Sequence, residues 1–341
     1  MTDYLRGMRI LFFGPKTFNY ERELVRAMER LGAEVTYEAD KPWNRTWLKG
    51  LFRLFPRVAW LGADYYYRNW LDNVAPKTVD VVFVIKGEGL SPDTLRRMKE
   101  IYPTARFVLY LWDSINNVPL IERKFQFFDV LYSFDPKDCE SHKNLRYRPL
   151  FFLDYYNGLC AEKPSEKKCF FLGTLNGDRP HVLWSLHLAL HDGYFLDYWL
   201  FIRSALELFM RKLFDRSLRY LDSDRLIGTA MTPAIIAERV SAAAAVVDIE
   251  HPNQTGLTMR TFEVLASGRK LITTNRHVKN ESFFDPSRVL VIDRFSPIVP
   301  ISFLESEFIP LPEEFFRRYS IAGWLSDVLS VSVSATRQSL T

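Results

Sequence analysis

Residues 79–85 (VDVVFVI) form an apolar run broken by one aspartate and rich in β-branched side chains. A strand without alternation of apolar and polar residues is buried on both faces, and sheets buried in that way are parallel and flanked by helices. The neighbouring sequence supplies the rest of that grammar. Residues 8–13 are apolar apart from Arg9 up to the break at Gly14-Pro15, and residues 21–31 place Leu24, Val25, Met28 and Leu31 at helical spacing before Gly32. A short strand is expected over 33–37, a helix over 92–101, strands over 106–111 and 130–134, and a helix start at Asp135-Pro136. Strands alternating with helices over residues 8–150 predict a doubly wound α/β domain.

The second half repeats the pattern. The polar stretch 161–168 (AEKPSEKK) reads as a linker, followed by a short strand over 169–172 that ends in Gly173-Thr174. One long helical region is expected over 181–221, a strand over 225–228, a helix over 233–243, a strand over 244–249, a helix over 259–267 closed by Gly268, and strands over 270–274 and 289–292. The expectation is therefore α/β with two Rossmann-like domains, 1–157 and 158–312, and a remaining segment 313–341 holding a helix and a Ser/Val-rich tail. Two parallel sheets facing one another would leave a cleft lined by the loops after their strands.

Composition narrows the functions such a fold could carry. Lys and Arg total 45 against 41 Asp and Glu, a net charge of +4, which is too faint over 341 residues to indicate nucleic-acid binding. The cysteines Cys139, Cys160 and Cys169 are odd in number and lack a CxxC pair, which disfavours a disulfide framework and a structural zinc and fits a reducing cytoplasm. The first loop, GPKTFNY, lacks GxGxxG, and no GxxxxGK[ST] occurs, which argues against a dinucleotide dehydrogenase and a P-loop NTPase. The amino-terminal apolar run is too short for a secretory signal, and no uncharged apolar stretch of about 20 residues is available to span a membrane. His187 and His191 are spaced to share one helix face but lack a third metal ligand.

The strongest local signal is 256–275, GLTMRTFEVLASGRKLITTN. A helix there puts Arg260 and Glu263 on one face. A planar guanidinium suits a diphosphate and a carboxylate suits the paired hydroxyls of a ribose, although an ordinary surface ion pair has the same spacing. Gly173 and Thr174, followed by Asn176, Gly177 and Arg179, make a turn whose small residues admit a phosphate to backbone N–H groups, or simply a tight turn.

The segment FEVLASGRKLITTN resembles the Glu-x-x-Ala-x-Gly motif that closes the donor site of GT-B glycosyltransferases of the group 1, CgeB-like and lipopolysaccharide-biosynthesis types. LYLWDSINN, LYSFDPKD with RPLFF, and FLGTLNGDR extend the likeness over most of 8–293. The resemblance implies a nucleotide-sugar held mainly by the carboxy-terminal domain. Glu263 would take the donor ribose, Arg260 would face the phosphates, and Thr261, Gly173, Thr174 and Arg179 would line the same site; His251, by its own place in the loop IEHPNQTG after a strand, either contacts the donor or simply serves the turn. It implies transfer to a glycan or glycolipid acceptor without metal or other cofactor, and a helix around 320–329 that packs back on the first domain. Asp113, delivered by the strand before WDSINN, would be the base of an inverting transfer, or else caps its own turn. Lys86, Glu88 and Asn116 are candidates for the acceptor side or the cleft; Lys86 and Glu88, at the end of VDVVFVI, could contact the acceptor or a donor phosphate, or form a solvated charged turn. Retaining members carry a second glutamate eight residues before the first; that position is Thr255 here. Asp222-Ser223-Asp224 spells a metal-binding DxD but precedes its strand, so helix termination is the expected role. A non-catalytic nucleotide- or sugar-binding module and a nucleotide-sugar epimerase remain alternatives.

Residues 43–71 hold Trp43, Trp47, Trp60 and Trp70 interleaved with Arg45, Lys49, Arg53, Arg57 and Arg68, and residues 201–221 form a second basic, aromatic-rich stretch. Such segments can lie in the headgroup layer of an anionic membrane, which would place a cytoplasmic protein peripherally on the inner face; a buried connecting helix is the alternative.

Overall fold

The computed structural model describes residues 4–17, 19–43, 55–160, 163–202, 205–214, 218, 221–229 and 231–329. Residues 44–54 of the Trp/Arg-rich stretch, with Arg45, Trp47, Lys49 and Arg53, and the tail 330–341 lie outside the described residues. The chain divides into two compact units, Met1–Arg148 with Ile321–Thr341, and Pro149–Ser320. That division falls ahead of the 157/158 boundary read from the linker.

The first unit runs β1 (Arg9–Gly14), α1 (Tyr20–Arg30), β2 (Glu34–Ala39), α2 (Pro56–Asn73), β3 (Val81–Ile85), α3 (Pro92–Ile101), β4 (Arg106–Leu111), β5 (Val130–Ser133), α4 (Pro136–Ser141) and β6 (Leu145–Tyr147). Its six strands are parallel, in the order β2-β1-β3-β4-β5-β6. Every residue of β3 is buried, as the unbroken apolar run requires. Leu11, Phe13, Val82, Val84 and Leu109 pack on one face with Trp60, Tyr67 and Leu95. Phe12 stacks on Phe83 on the other, ring centroids 5.3 Å apart. Burying each such side chain contributes about 2–3 kcal/mol before entropy is counted. Helix α3 begins where Ser91 accepts the Thr94 N–H and Pro92 occupies the first turn, a start signal written locally in the sequence.

The second unit runs β7 (Lys168–Thr174), α5 (Arg179–Ala189), β8 (Phe195–Phe201), α6 (Ala205–Phe214), β9 (Leu226–Ile227), α7 (Pro233–Ala242), β10 (Ala245–Asp248), α8 (Met259–Ala266), β11 (Lys270–Thr273), β12 (Val289–Val291), α9 (Ile301–Glu305) and α10 (Glu313–Tyr319). Its six parallel strands are ordered β12-β11-β10-β7-β8-β9. The single long helix expected over 181–221 is therefore incorrect. Asp192 and Gly193 take left-handed φ values of 57° and 82°, ending the helical path and feeding β8. In FLDYWLF, Leu196, Tyr198 and Leu200 turn to the core while Asp197 and Trp199 take the opposite face, the period of a strand. His191 consequently lies beyond α5 and shares no helix face with His187; its Nδ1 is 3.1 Å from the Ala189 carbonyl.

After α10 the chain enters α11 (Ile321–Leu329), which belongs to the first unit. Trp324 is fully buried there, edge-on to Tyr110 with centroids 4.6 Å apart. No described helix is long and apolar enough to cross a membrane.

In both sheets the strand order reverses, between β1 and β3 in the first and between β7 and β10 in the second. At such a reversal the loops leaving two adjacent strands part to opposite faces, opening a crevice at their carboxyl ends where α/β folds bind ligands.

Candidate functional site

At the reversal point of the second sheet, Arg179 closes the gap between the strands. Its Nε donates to the Ile249 carbonyl and its Nη1 to the Thr174 carbonyl, both at 2.9 Å, so one side chain straps the end of β7 to the end of β10. Gly173 makes room for it: a Cβ there would lie 3.3 Å from Arg179 Nη1 and 2.7 Å from the Phe171 ring. Burial lowers the guanidinium pKa from its usual value, against the opposing pull of Asp248 and Glu250.

Helix α8 is anchored from below by Asp248, the last residue of β10. This buried carboxylate accepts hydrogen bonds from the Thr258 hydroxyl at 2.7 Å and the Thr261 hydroxyl at 2.9 Å, and burial raises its pKa. Thr258 in turn caps the helix by accepting the Arg260 N–H. Thr261, expected to face a ligand, thus directs its hydroxyl inward and holds the helix.

With α8 fixed, Arg260 Nη1 lies 3.2 Å from Glu263 and 3.4 Å from the Tyr156 phenol oxygen, which accepts from it. The Glu263 side chain is 2% exposed and that of Arg260 18%, so the guanidinium is the outer partner. Burial, and then the Glu263 charge, raise the Tyr156 phenol above its usual pKa. His251 lies in the loop after β10, its Nδ1 accepting the Asn253 N–H at 3.3 Å.

Four residues of this crevice were missed in the sequence: Asp178, Glu250, Thr274 and Arg294. Arg294 reaches Asp178 through Nε and Nη2, Glu250 at 2.6 Å and Thr274 at 3.0 Å through Nη1. The Thr274 hydroxyl also donates to Glu250. Burial raises Glu250, whereas Arg294 overcomes burial at Asp178 and holds that carboxyl below its usual value. Each follows a strand or opens a helix at the carboxyl edge, a positional signal that was legible once the strands were assigned.

The first unit gathers a second charged group at its own reversal point. Lys86 and Gly87 both take left-handed φ values, 66° and 63°, a costly turn for a lysine that must be held by its surroundings. Lys124, fully buried, supplies that hold by donating to the Gly87 carbonyl at 2.7 Å and the Glu88 carbonyl at 3.3 Å, and Trp60 Nε1 adds a bond to Glu88. Lys86 Nζ then lies 2.7 Å from Asp113 and 3.6 Å from Glu88, which also pairs with Lys41 at 2.7 Å. Burial works against the Lys86 ammonium, but Asp113 and Glu88 outweigh it and raise its pKa. Of the two asparagines on this turn, Asn117 donates to Asp113 at 3.4 Å, while Asn116 is exposed. Asp138 fixes that turn by accepting the Ile115 N–H at 2.9 Å and the Ser114 hydroxyl at 3.1 Å.

Asp222-Ser223-Asp224 forms the turn that enters β9, at the edge opposite the crevice. Among the described residues no group of three or more His, Cys, Asp and Glu side chains is placed to hold a metal ion.

No known family profile and no characterised sequence matches the chain significantly. Solved structures do match it. The α,α-trehalose 6-phosphate synthase of Burkholderia multivorans superposes with a TM-score of 0.61 at 11% identity, over 97% of this chain and 100% of that one. Anabaena HepE, crystallised with UDP and glucose, gives 0.54 at 11% identity, over 94% and 98%. The chain has the GT-B fold. In this GT-B chain each unit is Rossmann-like, and the second carries the order with which such sheets open one crevice at their centre.

Proposed function

We propose that this GT-B chain is a glycosyltransferase that draws a sugar from a nucleoside-diphosphate donor and passes it to a hydroxyl of a glycan or glycolipid, of the surface-polysaccharide or lipopolysaccharide kind. The observation that carries the reading is the Arg260–Glu263 pair on a helix anchored at the crevice of the second sheet. The two side chains satisfy each other. A diphosphate that draws the outer guanidinium toward itself releases the inner carboxylate to accept both hydroxyls of a ribose, so each half of a nucleotide takes one half of the pair. The UDP and glucose in the HepE crystals support a nucleotide-sugar donor.

As the bond to the sugar breaks, negative charge grows on the departing diphosphate. Arg260 and Arg179, with the positive ends of the α5 and α8 dipoles, neutralise it, the electrostatic stabilisation that dominates such transfers. No metal or other cofactor enters this reading. Asp113 accepts the proton of the acceptor hydroxyl, with Lys86 orienting its carboxylate. Asp248, Thr258 and Thr261 act only by holding α8 in place.

The same reading puts the protein on the cytoplasmic face of an anionic membrane. Helix α2 exposes Val58, Leu61 and Tyr65 along one side, between Arg57 and Arg68, a face suited to the headgroup layer where lipid-linked acceptors reside.

The test is to incubate the chain with UDP-, GDP- and ADP-sugars and measure release of the free nucleoside diphosphate. One donor is expected to be hydrolysed slowly, and Asp113→Asn to lose that turnover while still binding the nucleotide. Absence of turnover and of binding for every donor contradicts the reading.

A further inference from the structure

We propose that Tyr155 is the platform on which the nucleobase of the donor stacks, an inference that rests on the reading above and adds a specificity-determining residue to it. Asp154–Tyr156 is a single 3₁₀ turn of the second unit. Its two tyrosines part company: Tyr156 is 2% exposed, and Tyr155 is 41% exposed. A tyrosine with that much free area ordinarily reaches into water. Tyr155 instead lies over Tyr156, with ring centroids 4.4 Å apart and planes 35° from parallel. With one face so covered, the area left to solvent belongs to the opposite face and edge.

The place of the ring follows from what it lies on. The turn packs against α8, and Tyr156, the residue Tyr155 stacks on, is within 3.4 Å of the Arg260 guanidinium, so the Tyr155 ring stands one side chain away from the Arg260–Glu263 pair. Tyr156 makes the connection by accepting from Arg260. In a nucleotide the base is attached to the ribose carbon next to the 2′-hydroxyl. A flat ring beside the carboxylate that takes the ribose diol is therefore within stacking distance of the base, and an aromatic face accepts any base because each has a π surface. The turn sets this ring rigidly, at the cost of only two side-chain torsions.

Phe295 is an exposed aromatic that follows Arg294 and packs on His181 at 5.5 Å between centroids, and it serves as the internal control.

The experiment is isothermal titration of the full chain with UDP, GDP, ADP, dTDP and inorganic pyrophosphate, comparing wild type with Tyr155→Leu, Tyr155→Ala, Tyr155→Phe and Phe295→Ala. The leucine variant keeps apolar cover on Tyr156 and so guards against a folding defect in the alanine variant. The expected result is that the leucine and alanine variants bind the preferred nucleoside diphosphate about tenfold or more weakly. Pyrophosphate, which has no base, should keep its affinity, and the phenylalanine and Phe295→Ala variants should bind as wild type does. A general loosening of the site would weaken pyrophosphate equally. Unchanged nucleotide binding without the Tyr155 ring, an equal loss for pyrophosphate, or a loss confined to Phe295→Ala overturns the proposal and leaves the donor reading standing. Failure of the wild type to bind any of the nucleotides removes the donor reading, and the platform with it.

Discussion

Arg294 holds the Asp178 carboxylate with two nitrogens, Nε at 2.9 Å and Nη2 at 2.7 Å. The pair ties the turn after β12 to the start of α5, across the carboxyl ends of β11 and β10. Arg294 Nη1 also bonds Glu250, so Arg294→Met leaves two partly buried carboxylates without their cation. Discounted for partial exposure, the loss is expected to be about 2 kcal/mol in urea unfolding, and Arg294→Lys should recover little of it because an ammonium has no planar fork.

A second prediction concerns backbone contact. A Cβ on Gly89 would lie 2.1 Å from the Asp40 carbonyl oxygen, and neither backbone has a flexible end to move aside. Gly89→Ala is expected to destabilise the first unit by about 3 kcal/mol or more, read as a lowered urea midpoint.

The charged group around Lys86 gives a pH signature with two limbs. Burial raises the Asp40 carboxyl from 3.8 to about 6, so between those values the folded chain keeps a proton that the unfolded chain has lost. Its contribution to stability therefore falls as pH rises through that window, by about 3 kcal/mol in all. Lys124 behaves in the opposite sense. Burial lowers its ammonium from 10.5 to about 7, the unfolded chain holds the extra proton between them, and its contribution rises with pH there. Urea unfolding from pH 4 to 10 should show Asp40→Asn losing the falling limb and Lys124→Met losing the rising one. Difference curves flat in pH for both variants contradict this.

Much of the fold was readable because its signals are local. Helix α3 and strand β4 occupy the predicted residues, the first capped by Ser91-Pro92 and the second an unbroken apolar run. Strand β8 was hidden because FLDYWLF, between two helices, is rich in aromatics that fit either period, and only the turn at Asp192-Gly193 separates it from α5. The site divides in the same way. Arg260 and Glu263 are three residues apart on one helix, so their pairing could be expected from spacing. Arg294 and Asp178 are separated by 116 residues and meet only because β12, β11, β10 and β7 lie in that order. Lys124 was equally out of reach, since a lysine in a polar-looking segment gives no sign that two carbonyls will bury it.

For the proposed reaction, Asp113→Asn should lower turnover by about 100-fold or more with nucleotide affinity unchanged, because a general base acts on the step and not on donor binding. Stopped donor hydrolysis together with equal nucleotide titrations would bear this out; a matching loss of affinity would assign Asp113 to structure.

For the membrane contact, sedimentation with vesicles of anionic lipid should carry the chain down at low salt. Leu61→Glu with Tyr65→Glu should release it, and neutral vesicles should not bind it. Equal sedimentation of the double variant would exclude this face of α2.

The central claim is that the second unit grips a nucleoside diphosphate at its crevice. The most direct measurement is a crystal structure of the chain grown with whichever of UDP, GDP or ADP binds most tightly. The expected result is a diphosphate within hydrogen-bond distance of the Arg260 guanidinium and a ribose diol on the Glu263 carboxylate. A nucleotide bound elsewhere, with the Arg260–Glu263 pair still closed at 3.2 Å, would contradict it.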